Sequence, residues 1–185
     1  MPTQLPNSIR DRLKAGLKRP EKLCVIGIDP GKKGALAAMD GSGSVTFLAM
    51  PLTANEINFP EVAGWMKALK KDYECIVVIE KVGAMPGQGV TSMFSFGFGT
   101  GAMYGICAAL SLPVYVPTPQ AWKKVILAGT DKSKDASIAY VQRIYPGMKI
   151  TATDRGRIPS NGIADAICIA KYGWMVVAPS YDIRE

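Results

Sequence analysis

The sequence predicts an α/β protein with helices layered on a mixed β-sheet, and three observations carry that expectation. Short continuous apolar runs, LCVIGID at 23–29 and CIVVIE at 75–80, read as interior strands. Two more apolar runs follow the first and are joined by a turn sequence, which gives the sheet an antiparallel beginning. The later strands are separated by stretches with helical periodicity, so pairing beyond the hairpin runs through helical crossovers.

The elements follow in order. PGKKG breaks the strand at 23–29, and ALAAM at 35–39 and VTFLAM at 45–50 flank DGSG at 40–43, so the first three strands are expected to be adjacent and antiparallel. Residues 60–71 place Val62, Trp65, Met66 and Leu69 at helical spacing, and Pro60 suits a first turn. The strand at 75–80 ends in a carboxylate and gives way to the glycine-rich KVGAMPGQG. Segment 91–110 is compatible with a long helix despite Gly97, Gly99, Gly101 and Gly105, whose small size permits close packing at some cost in propensity. PVYVP at 113–117 is a fifth short strand. Helices are expected at 118–127 and 133–145, with Thr118 and Ser133 as caps, and a last one from Ser160 or Asn161 to about Tyr172. No internal repeat or second-domain boundary stands out. The expected division is a flexible basic arm over 1–22, one domain over 23–173 and a tail over 174–185.

Composition narrows the chemistry. With 48% apolar and 20% charged residues in a chain of 185, the protein belongs with ordinary globular domains. No apolar run reaches the roughly 18 residues of a membrane span, and the first residues lack the apolar core of a secretory signal. Cys24, Cys75, Cys107 and Cys168 lie dispersed in apolar runs with no CxxC pair, which suits buried thiols in a reducing compartment rather than a disulfide framework or a zinc site. A net charge of +7 favours an anionic partner, nucleic acid or a membrane surface. Histidine is absent, which excludes histidine metal ligands, Ser-His-Asp or Cys-His nucleophiles and a histidine general base. Hydrolysis would fall to carboxylates with a metal, or to Lys or Tyr.

Three acids emerge from apolar elements. Asp29 ends an otherwise apolar strand ahead of a Pro-Gly turn, Glu80 repeats the pattern on a second strand, and Asp165 interrupts the apolar helical face of NGIADAICIA. Each alone suits a cap, a salt-bridge partner or a solvated strand end. Three together would repel one another unless cations compensate them. Mg²⁺ or Mn²⁺ accepts carboxylate and water oxygens, and a pair of such ions can activate water and stabilise the leaving oxygen of a phosphodiester.

The ordered set IGIDPGKKGALA at 26–37, VVIEKVGAMPGQGVTSMFSFGFGTG at 77–101, VPTPQAWKK at 116–124, KSKDAS at 132–137 and NGIADAICIAKYG at 161–173 resembles the RuvC-like Holliday junction resolvases, in particular their phage and organellar (chloroplast-type) branch. The resemblance spans roughly residues 23–173. It implies an RNase H-like fold with a five-stranded mixed sheet, and a homodimer that makes paired nicks in four-way or other branched DNA with 5′-phosphate and 3′-hydroxyl ends. Two Mg²⁺ ions per active site, replaceable by Mn²⁺, are implied with it. The compartment would be the cytoplasm of a bacterial or phage-infected cell, or an organelle. Carried over by motif, Asp29 bridges the metals, Glu80 ends the central strand and Asp165 is the late acid of the C-terminal helix.

The pattern departs at Asn161, where the related branch carries an acid four residues before the last one. Positions i and i+4 share a helical face, which is why that spacing serves one site. Asn161 keeps an oxygen ligand but no charge. Two readings stand side by side: a natural residue or helix cap in a weaker metal site, and an introduced Asp-to-Asn change that leaves junction binding without cutting. Asp154 is a nearby acid, poorly placed on a loop.

Lys32, Lys33, Lys123, Lys124, Arg155 and Arg157 are the preferred phosphate contacts, with further charge from Lys132, Lys134, Arg143 and Lys149. By resemblance, the start of the segment after Glu80 presents a wedge at the junction centre, with Met93 or Phe94 as that residue and Gln88 contacting a base. Phe96 and Phe98 are expected in the core. The same helix is a candidate dimer interface. The competing readings are a non-cleaving junction-binding protein, a related nuclease on RNA–DNA hybrids or other branches, and an actin-like phosphotransferase, for which the chain lacks the length.

Overall fold

A computed structural model of the chain describes residues 22–83, 87, 89–130, 133, 135–176 and 178. Its strands are β1 (Leu23–Asp29), β2 (Ala35–Asp40), β3 (Val45–Ala49), β4 (Leu52–Thr53), β5 (Glu56–Ile57), β6 (Glu74–Ile79) and β7 (Val114–Tyr115). Its helices are α1 (Phe59–Asp72), α2 (Val90–Ala109), α3 (Pro119–Ile126), α4 (Ala136–Ile144) and α5 (Asn161–Val176). Five strands form one mixed sheet in the order β3-β2-β1-β6-β7, with β4 and β5 as a separate pair. β1 pairs antiparallel with β2 and parallel with β6, as the apolar runs and their connections require.

The expected hairpin forms because Asp40 accepts the backbone N–H groups of Ser42 and Ser44 through Oδ1, while Gly43 takes a left-handed φ of 85°. Alternation along the strands then sorts the core into two layers. Ile26, Ile28, Leu36, Val77 and Ile79 meet Val62 and Met66 of α1 and Met103 of α2. Val25, Ala35, Ala37 and Val78 meet α5, Trp122 of α3 and Val141 of α4. All four cysteines are buried free thiols, as expected from their apolar surroundings.

The structure departs from expectation in detail. The β4–β5 hairpin is not anticipated, because two-residue strands are too short to show a period and the turn residues Ala54 and Asn55, at φ 50° and 62°, include no glycine. Thr118 caps α3 by accepting from Ala121, but α4 begins at Ala136 behind Asp135, so Ser133 is not its cap. β6 stops at Ile79, leaving Glu80 just past the strand, and α5 continues to Val176. The arm expected at 1–22, except for Lys22, and most of the tail lie outside the described residues. Among the described residues no helix is long and apolar enough to cross a membrane.

One contact positions everything at the sheet's end. A Cβ on Gly27 of β1 would stand 2.3 Å from both the carbonyl oxygen of Ala166 and the nitrogen of Ala170, and one on Gly162 would stand 2.1 Å from the Lys33 carbonyl oxygen. Helix α5 therefore lies with its backbone directly on β1 and on the loop after it. Gly27→Ala inserts a methyl against backbone that cannot rotate away, and overpacking of this kind costs about 1–3 kcal/mol or more. Urea unfolding is expected to show a loss at the upper end of that range, whereas Gly64→Ala, where a Cβ meets nothing within 4 Å, is expected to leave stability unchanged or slightly raised.

Candidate active site

Strand alternation aims the acids. Val25, Gly27 and Asp29 share the face of β1 that α5 covers, and the parallel register pairs Val25 with Ile76 and Gly27 with Val78. Glu80 continues that register, its N–H donating to the Ile28 carbonyl at 3.1 Å, so Glu80 follows Asp29 onto the same face. Asp165 arrives from α5, whose seat on Gly27 and Gly162 brings its first turns beside the β1 end. Asp29, Glu80, Asp165 and Asn161 are each half-buried.

Their electrostatics follow from that crowding. Burial raises the Asp29 carboxyl from its ordinary 3.8 to about 7, with the neighbouring Glu80 and then Asp165 pushing the same way, against the Gly31 N–H and the Lys123 ammonium. The Gly31 N–H donates to Asp29 Oδ1 at 3.4 Å. Burial and Asp165 also raise Glu80, opposed by the Trp122 indole, whose Nε1–H donates to Glu80 Oε1 at 2.7 Å. Burial raises Asp165, opposed by a hydrogen bond from the buried Ser137 hydroxyl and by Lys123. Lys123 thus acts on all three acids, and its Nζ lies 5.2 Å from the centre of the Trp122 ring. The acids share one field.

A cation fits this set by two observations. Three desolvated, mutually repelling carboxylates are more stable ionised when a positive charge joins them. The Oδ1 of Asn161 is buried with no hydrogen-bond partner, an unmet acceptor of the kind a metal or its water satisfies. Among the described residues no three His, Cys, Asp or Glu side chains close on a single ion position. The donor set suits Mg²⁺, which commonly takes one or two carboxylates and completes its shell with water and substrate phosphate.

Some predicted residues come together and some do not. Asn161 begins α5 on the same face as Asp165, and its Nδ2 donates to Asp135 Oδ1 at 3.3 Å. Lys123, expected on phosphate, is exposed and lies close enough to the three acids to act on each of them. Lys32 pairs with Glu56 at 2.9 Å, across to the β4–β5 hairpin. Lys33, Lys124, Arg155 and Arg157 are exposed, Phe94 is 73% exposed and Met93 half-buried. Phe98 corrects the core expectation: it is 64% exposed, its edge against Phe59 with ring centres 6.1 Å apart. Phe96 is half-buried. Gln88, Lys132 and Lys134 lie outside the described residues. Sequence reasoning missed Trp122, Asp135, Ser137 and Glu56. Trp122 sits in an apolar helical pattern that marks its ring but not its N–H, and Asp135 carries only the signal of a polar residue ahead of a helix.

The raised Asp29 pKa fixes a direction. Between about pH 4 and pH 7 the folded protein holds a proton on Asp29 that the unfolded chain has released, so stability is fullest below that window and is lost as pH rises through it. Unfolding by urea in a chelator is expected to show this decline from pH 5 to 7.5, and Asp29→Asn is expected to flatten it. An unchanged slope in Asp29→Asn would remove Asp29 as its source.

No protein-family model and no curated protein sequence matches the chain. Solved structures do. Thermus thermophilus RuvC in complex with a Holliday junction substrate aligns over 85% of this chain and 96% of its own, at 19% identity and a TM-score of 0.57. A further T. thermophilus RuvC structure aligns over 85% and 97%, at 21% identity and a TM-score of 0.50. The yeast mitochondrial Holliday junction resolvase Ydc2 aligns over 95% of this chain and 87% of its own, at 14% identity and a TM-score of 0.52. The strand order, the flanking helices and these alignments agree: the chain has the RuvC-like, RNase H-like fold.

Proposed function

We propose that this protein is a divalent-metal-dependent DNA endonuclease that resolves four-way junctions as a homodimer, leaving 5′-phosphate ends. The observation that carries the reading is the meeting of Asp29, Glu80 and Asp165, from three separated parts of the chain, in one desolvated field beside Lys123. The likeness to RuvC in complex with a Holliday junction substrate and to the Holliday junction resolvase Ydc2 supports the substrate.

Asp29, Glu80 and Asp165, with the Asn161 Oδ1, are the residues that would hold Mg²⁺ or Mn²⁺, two ions per site. The chemistry such ions supply when bound is activation of water and stabilisation of the leaving oxygen. The chain's own groups set up the rest. Trp122 holds one oxygen of Glu80 and leaves the other for a ligand. Lys123 partly offsets the raised pKa values of the acids and offers charge to the phosphate being cut. Lys33, Lys124, Arg155 and Arg157 would grip flanking phosphates, which makes affinity salt-dependent without reading sequence. Phe94, exposed at the start of α2, suits the wedge role.

The dimer reading rests on α2. Gly97, Gly101 and Gly105 recur every four residues, and a Cβ at any of them would meet nothing within 4 Å. Open glycines inside a helix each cost roughly 0.5–1 kcal/mol relative to alanine, which a second copy approaching closely on that face would offset. A specific observation favours the alternative of a non-cleaving junction binder: Asn161 supplies no charge. Against it, Asp135 stands within hydrogen-bonding reach of Asn161 and restores an acid to that corner.

Labelled four-way junctions incubated with the protein in Mg²⁺, in Mn²⁺ and with chelator test the proposal. Paired nicks are expected with either ion and none with chelator. Asn161→Asp is expected to cut about tenfold faster, Asp135→Asn to cut more slowly, and Asp29→Asn to lose about a thousandfold, the several kcal/mol at stake in metal-assisted charge stabilisation. Tight junction binding with no cutting by either the protein or Asn161→Asp would establish the binding-protein reading instead.

A further inference from the structure

Beside the acids lies a cleft that the mechanism above does not use. It has a volume of about 360 Å³ and opens between the loop after β1, the β4–β5 hairpin and the first turns of α2. Lys32, Ile57, Thr91, Ser92, Ser95 and Phe96 line it. That volume lies near the lower end of small-ligand sites, roughly 300–1,000 Å³, and suits one nucleotide.

Its lining sorts by chemistry. The Phe96 ring and Ile57 supply an apolar wall against which a base can stack, a contact that tolerates any base. Three hydroxyls, from Thr91, Ser92 and Ser95, can donate to or accept from a base edge or sugar. Lys32 supplies the charge for a phosphate. The first turn of α2 carries no acidic residue, so the helix start itself does not repel an anion. The cleft is also one residue from the candidate catalytic acid. A Cβ on Gly31 would lie 3.8 Å from Asp29 Oδ1 and 3.8 Å from Phe96 Cε2, so carboxylate and ring flank this glycine.

The Lys32–Glu56 pair then acquires a meaning. Glu56 is 74% exposed and reaches Lys32 from a turn that holds Ala54 at φ 50°, a conformation alanine rarely adopts. An exposed pair of this kind contributes little to stability. Its carboxylate engages the Lys32 ammonium that a phosphate in the cleft would otherwise meet. Building on the nuclease reading, we propose that this cleft receives one unpaired nucleotide of the strand being cut, its base against Phe96 and its phosphate displacing Glu56 from Lys32.

The test uses four-way junctions carrying 2-aminopurine at successive positions around the branch, bound in Ca²⁺ so that cutting does not intervene. A fluorescence change confined to one position is expected with the unaltered protein. Phe96→Leu, which keeps apolar bulk and removes the aromatic face, is expected to abolish that change and weaken binding about tenfold, the size of one lost base–aromatic stack. Thr91→Val, similar in shape and less disruptive should Phe96→Leu fold poorly, is expected to diminish the same signal. Glu56→Gln is expected to tighten binding and steepen its salt dependence by about one counterion. If the unaltered protein cuts junctions, yet Phe96→Leu or Thr91→Val keeps the signal and Glu56→Gln binds as before, the cleft assignment falls and the nuclease reading stands. If the unaltered protein neither cuts nor prefers junctions over plain duplex, both fall.

Discussion

Helix α5 rests on strand β1 through bare backbone, and the candidate site exists because of it. Where Gly27 leaves no side chain, the carbonyl of Ala166 and the nitrogen of Ala170 come against the strand; where Gly162 leaves none, the helix start meets the Lys33 carbonyl. A larger residue at either place would push α5 away from the strand and the loop after it. Asp165 and Asn161, on the first two turns, would then draw back from the end of β1, where the strand register still holds Asp29 beside Glu80. Packing and chemistry are thus one constraint here, imposed by two glycines.

That closeness has an electrostatic consequence. Three carboxylates drawn out of water onto one face oppose ionisation, and Asp29 most strongly. The fold answers with partial compensation: the Trp122 indole on Glu80, the Ser137 hydroxyl at Asp165, the Gly31 amide on Asp29 and the Lys123 ammonium acting on all three. These contacts orient the acids without neutralising them. The remaining deficit of positive charge, with the unmet Asn161 oxygen, is what a divalent cation would supply.

Much of this is legible in the sequence, for physical reasons that differ by element. β1 and β6 announce themselves because buried parallel strands need unbroken apolar runs, and an acid ending such a run is conspicuous. The β2–β3 hairpin is legible because DGSG supplies both the side-chain acceptor and the left-handed glycine its turn requires. The β4–β5 hairpin is hidden, since two-residue strands have no period and its turn uses alanine and asparagine at positive φ. Asp29, Glu80 and Asp165 can be named from their apolar settings. Their partners cannot: Trp122 looks like a core residue, Asp135 like a cap, and Lys32 like a free cation until Glu56 is seen beside it. Phe98 was expected inside because aromatics usually are, yet α2 turns it outward against Phe59.

The central claim is that these acids form one divalent-cation site, and it is tested most directly by locating the ion. Anomalous diffraction from crystals of the protein grown with Mn²⁺ and a four-way junction should show manganese bounded by oxygens of Asp29, Glu80 and Asp165. Full junction occupancy with no manganese among those three side chains, or with manganese only elsewhere, would contradict the account.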